Sequence, residues 1–182
     1  VAAAVVIPAA AGLFVWNSSR VQQENEQTYL TLMNEGTALC SDAPEQAAEK
    51  FLAAQSLRPD APEPYLSYAY TLYLCGEYES CISYIENDLA LGKSYDETVQ
   101  SELAAILGAA YFEQEDYAAA ASFFRLSTAG GDITIDEMRD YAVSLGRLGD
   151  VDAADKVLEE MRTAGASGEL LDYVQAETDL AK

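Results

Sequence analysis

Past residue 20, the apolar residues of this chain recur three and four positions apart, in short stripes separated by turn formers. That spacing places each stripe on one face of a helix. Ala47, Phe51 and Ala54 define a helix over residues 44–57, opened by Pro44 and Glu45 after the cap Ser41-Asp42-Ala43. Tyr65, Tyr68, Ala69 and Leu72 define the next, between a break at residues 58–62 and Gly76. Leu103, Leu107, Gly108 and Tyr111 repeat that stripe, as do Met138, Tyr141, Ala142 and Leu145. Further helices are expected over 19–39, 78–91, 117–127, 151–162 and 167–181, with loops at 92–96 and 128–132. Every segment reads as helix, and the expected fold class is all-α.

The stripes are ordered by an internal repeat. A turn residue and an acid precede Tyr78, Tyr117 and Val151; a small residue follows three positions on (Cys81, Ala120, Ala154), and a bulky one four beyond that (Ile85, Phe124, Leu158). A fourth copy keeps only Ala47, Phe51, Ala54 and Pro59. Ala47 to Cys81 is 34 residues, Cys81 to Ala120 is 39, and Ala120 to Ala154 is 34. The longer interval contains the connector at 92–96. A period in this range marks stacked supersecondary units. Each unit is two antiparallel helices, with Ala69, Gly108 and Ala142 as small residues where a first helix approaches its second. One such hairpin cannot bury its apolar face alone, so neighbours must stack.

On Leu107-Gly108 with Tyr111, the turns at Gly76/Tyr78/Cys81 and Gly149/Val151/Ala154, and the Ala47/Phe51/Ala54/Pro59 set, the chain resembles a tetratricopeptide repeat array. The resemblance covers residues 28–166 as four units, with 167–182 as a capping helix. It departs from the family in a first turn one residue short, in Gly36 standing for a later glycine, and in a family proline kept only as Pro59. The resemblance implies a right-handed superhelix whose first helices line a concave groove for a peptide or protein. Carried over by position, that groove is Leu66, Tyr70 and Tyr73, then Ala105, Ala109 and Phe112, then Arg139, Val143 and Arg147. Tyrosines suit such a surface, although the same stripe could instead fill gaps between helices. Family members that grip an acidic chaperone tail use a clamp of Lys, Asn and Arg. The matching positions here are Leu32, Gly36, Ser67, Glu102 and Ile106, so an acidic chaperone tail is not the expected partner.

The N-terminal segment is a different material. Residues 1–16 (VAAAVVIPAAAGLFVW) are apolar, and the first charge is Arg20. As a helix, the run to residue 19 would extend about 24–28 Å, close to a hydrocarbon core of about 30 Å. A transmembrane segment over 1–19, followed by a juxtamembrane linker over 20–27, is the first reading. Its start is expected upstream of Val1. A signal peptide and a buried helix of the domain stand as alternatives. Few bases follow the segment, which favours a non-cytoplasmic position for the repeats.

Charge and composition narrow the function. The chain has 31 acids, 10 bases and no histidine, for a net charge of −21. Nucleic-acid affinity comes largely from Lys and Arg on phosphates, so a nucleic-acid partner is not expected. A basic partner is compatible with the charge. Without histidine there is no Ser-His or Cys-His couple, and no glycine-rich cofactor run appears, so neither catalysis nor a cofactor is expected. Cys40, Cys75 and Cys81 form no metal-ligand pattern. Cys81 reads as packing, with a Cys75–Cys81 disulfide as the alternative. Glu113/Asp116 and Asp152/Asp155 read as solvated charge. Two functions result: a membrane-tethered scaffold that recruits a protein through its groove, or the sensory region of a larger receptor, such as a bacterial receptor-type serine/threonine kinase.

Overall fold

A computed structural model describes residues 7–130 and 133–179, with side chains from residue 20 onward. Among the described residues there are helices and no strands: α1 Ile7–Leu39, α2 Pro44–Leu57, α3 Pro62–Leu74, α4 Tyr78–Ala90, α5 Glu97–Glu113, α6 Tyr117–Gly130, α7 Ile135–Arg147, α8 Val151–Thr163 and α9 Gly168–Asp179. The protein is all-α. The chain forms two compact units that divide between Ser67 and Tyr68, within α3.

The expected membrane span is overturned. Residues 1–6 of the 1–19 segment lie outside the described residues. Among the described residues no helix is long and apolar enough to cross a membrane. The reason lies in α1. From Ile7 to Trp16 its described residues are apolar. The same helix then continues without a break through Asn17, Arg20, Glu24 and Glu26. A single-pass membrane localisation with repeats on the far side therefore does not stand.

In the first unit α1 and α2 pack antiparallel. Glu35 and Gly36 face Lys50 and Phe51 at one end, while Glu26 and Tyr29 face Arg58 at the other. Ala47, Phe51 and Ala54 are buried, as their spacing requires. A Cβ on Gly36 would stand 2.7 Å from the Phe51 ring, so the glycine lets the helices close. The Arg58 guanidinium lies 4.3 Å from the Tyr29 ring centroid and covers it.

The second unit carries the repeated phrase, and its turns coincide in backbone geometry. Gly76, Glu115 and Gly149 adopt φ of 76°, 60° and 78°. After each, an acid donates its backbone N–H five residues back: Glu77 to Leu72, Asp116 to Tyr111 and Asp150 to Leu145, each at 3.0 Å. These are left-handed helix C-caps, which usually require glycine. Asp116 and Asp150 then cap the following helices, accepting from the N–H groups of Ala119 and Ala153. Glu115 is the exception to glycine, and the left-handed conformation costs such a residue roughly 1–2 kcal/mol. Glu115→Gly is therefore expected to raise stability by about 0.5–1 kcal/mol in denaturant titration, while Gly149→Ala lowers it by about 1 kcal/mol. A Glu115→Gly protein less stable than the parent would contradict the strain.

The small and bulky positions of the phrase meet in the core. Cys81, Ala120 and Ala154 are fully buried, as are Ile85 and Phe124. The Cys81 thiol donates to the Ala69 carbonyl at 3.2 Å, and burial pushes its pKa up to about 12. None of the three cysteines is in a disulfide, so Cys81 serves packing and the Cys75–Cys81 bridge is not formed. Gly108 mirrors Gly36: a Cβ there would meet the Phe124 ring at 2.7 Å.

One boundary differs from expectation. Residues 128–130 of the expected loop continue α6, because Ala129 and Gly130 are small enough to let its last turn approach α5. Ser101 donates its hydroxyl to the Ser127 carbonyl at 2.8 Å, and a Cβ on Gly130 would stand 2.5 Å from Ser101. Residues 131–132 lie outside the described residues. Beyond them, Thr134 and Glu137 form a reciprocal capping box that starts α7.

Candidate functional site

Within the second unit each helix packs on its successor from α4 to α9, and α7 also contacts both α5 and α9. The latter contacts give α5, α7 and α9 a shared face. Phe112, Arg139 and Val143 converge there with Asp140, Leu170 and Tyr173 around an open depression of about 370 Å³. Val143, 4% exposed, is its floor and part of the core beneath. Ala105 and Ala109 are half-buried on α5, and Arg147 is exposed at the end of α7; none of these three lines the depression. Leu66 is half-buried on α3 and belongs to the first unit.

Tyr70 and Tyr73 stack with centroids 6.1 Å apart, and Tyr73 lies 5.7 Å from Tyr78. Tyr70 is 47% exposed, whereas Tyr73 is half-buried. The Tyr78 hydroxyl donates to the Glu113 carboxylate, and burial followed by that charge raises its pKa. Tyr73 is pushed up to about 12, first by burial and then by the nearby charges of Glu113 and Asp140. Tyr73 packs on Tyr78 at the start of α4, and α4 packs against α5, whose last residue is Glu113. Phe112 and Tyr117 meet edge to face at 5.8 Å, so aromatic rings flank this end of α5.

The bases on this face are already engaged. Arg139 donates to both oxygens of Asp140, at 2.8 and 3.2 Å, and to Asp136 at 2.7 Å. A fork of this kind holds both partners in plane. Burial pushes the Asp140 carboxyl up, while Arg139 pulls it down. Arg147 pairs with Glu177 of α9. Neither guanidinium is presented bare to a ligand.

Register along the sequence assigns no groove role to Asp140, Tyr173, Leu170 or Tyr78, although the repeated phrase includes Tyr78, and it leaves Glu113 as solvated charge. Tyr78 sits directly after its turn, in line with Tyr117, and that alignment is the signal that could have found it. Tyr173 stands three residues after Leu170 and is 53% exposed, on a helix whose stripe suggests a cap or half of a further repeat. A second cavity, of about 470 Å³, is equally silent in the sequence; it lies beside the 91–96 connector and is walled by Leu89, Leu103, Leu107, Phe123 and Leu126.

At the level of class these observations define an all-α protein. No protein-family model matches the chain, and no curated protein matches it.

Proposed function

We propose that the chain is a tetratricopeptide-like interaction module that binds a peptide or protein along a groove lined by the first helices of its hairpins. The observation that carries this reading is that Tyr70 and Tyr173 are each about half exposed, although each belongs to a helix whose other face is core. The coincident turns at Gly76, Glu115 and Gly149 and the contacts of α7 with α5 and α9 support a stacked, superhelical arrangement of hairpins. No residue is assigned a catalytic role, and such binding requires no cofactor. The proposed ligand is neither nucleic acid nor an acidic chaperone tail. Glu102 is exposed at one matching clamp position, and Gly36 is buried against Phe51 at another.

The test is the double variant Tyr70→Ala with Tyr73→Ala, assayed against peptides selected on the full chain from a displayed random library. Truncating an interface tyrosine typically costs about 2 kcal/mol when it is a hot spot. Affinity is therefore expected to fall at least about thirtyfold, with circular dichroism unchanged. Undiminished affinity for every selected peptide would refute the groove.

A further inference from the structure

Resting on that reading, we infer that the groove selects basic peptides, seating a Lys or Arg side chain against the exposed ring of the Tyr70–Tyr73 pair, at the end of the groove where α5 finishes in Glu113. The first support is the charge that remains after internal pairing. Among the described residues, this face pairs Arg139 and Arg147 with Asp136, Asp140 and Glu177, and carries Glu113 besides. Both guanidiniums are engaged by Asp136, Asp140 and Glu177. Glu113 is exposed and has no cationic partner among the described residues; its contact is the Tyr78 hydroxyl. A carboxylate accepts more than one hydrogen bond, so that contact leaves room for an ammonium or guanidinium.

The second support is the ring geometry. Tyr70 and Tyr73 lie within 23° of parallel, with Tyr70 the more exposed of the two. A tyrosine face attracts a cation placed within about 6 Å of its centroid. The chain already makes this contact once, with Arg58 over Tyr29. A neutral peptide would leave the Glu113 charge unmatched, and an acidic one would be repelled by it. Long-range attraction from a chain of net charge −21 favours the same sign of partner.

The experiment uses peptides selected on the full chain from a displayed random dodecapeptide library, then synthesised with a fluorescent label. Anisotropy gives their affinity for the parent, Glu113→Gln, the Tyr70→Ala/Tyr73→Ala double variant, and a control, Glu159→Gln/Glu160→Gln, whose carboxylates are exposed on α8. Groove-dependent peptides are expected to be rich in Lys and Arg, and Glu113→Gln is expected to weaken them about tenfold. A Lys→Gln version of the best peptide should bind parent and Glu113→Gln alike. An equal loss in the α8 control would mean diffuse attraction and overturn the inference. Groove-dependent peptides that are neutral or acidic, or indifferent to Glu113→Gln, would also overturn it while leaving the groove intact. Peptides indifferent to the tyrosine double variant would remove the groove itself.

Discussion

Phe124→Ala is expected to destabilise the second unit by about 3–5 kcal/mol, the loss typical of deleting a fully buried ring. The ring is fully buried on α6, pressed against Gly108 and 6.2 Å from Tyr141. The size of the loss depends on whether neighbours can relax into the space. On one side they cannot, because Gly108 has no side chain to swing inward. Folded domains are stable by only about 5–15 kcal/mol, so the change is a large share of the total. Denaturant titration of the full chain measures it. Phe123→Ala is the comparison: Phe123 is half-buried and stacked on Tyr111, so its loss should be clearly smaller. Equal costs at the two positions would contradict the glycine–ring packing.

Gly146→Leu is expected to cost up to about 3 kcal/mol and to release α9. A Cβ at Gly146 would stand 2.7 Å from the Thr178 Cα, so the obstruction is backbone rather than a side chain that can turn away. Overpacking a filled site costs about 1–3 kcal/mol when the structure can shift, and here the element that must shift is a whole helix. The loss also removes Val174, fully buried, from the core it shares with Leu145 and Met161. Amide exchange should show protection lost along α9 and retained in α5 and α6. Protection of α9 at parent level would refute the close approach. Because Leu170 and Tyr173 travel with α9, peptide capture should weaken in this variant too.

The fold is legible in the sequence where one rule decides the matter. Periodicity alone places Ala47, Phe51 and Ala54 on the buried face of α2, and Pro44 and Leu57 as its ends. The turn-acid phrase locates three caps, including one in which Glu115 occupies a position made for glycine. Periodicity is insufficient at the end of α6, where a Gly-Gly pair reads as a loop while small residues also permit close helix contact. Apolar content misleads at the N-terminus: residues 1–16 are continuous in hydropathy, but α1, described from Ile7, runs on into Arg20 and Glu24 without a break. The site is half legible. Register selects Phe112, Arg139 and Val143, which line one depression, but pairing is invisible to it. Nothing in a linear sequence states that Arg139 closes on its own neighbour Asp140, or that Glu113 at the end of α5 meets Tyr78 at the start of α4. Those contacts depend on the angles between helices, which register does not encode.

The coincident turns have a consequence for how this chain can be cut and joined. Residues 77, 116 and 150 each leave a left-handed residue with the same hydrogen bond behind them, and each leads directly into a helix. The backbone therefore has matching joints at three places, 39 and 34 residues apart. A segment excised from one joint to the next leaves ends of the same conformation, already aimed to continue. Length can change there by a whole hairpin, while a cut within a helix leaves no such matching ends.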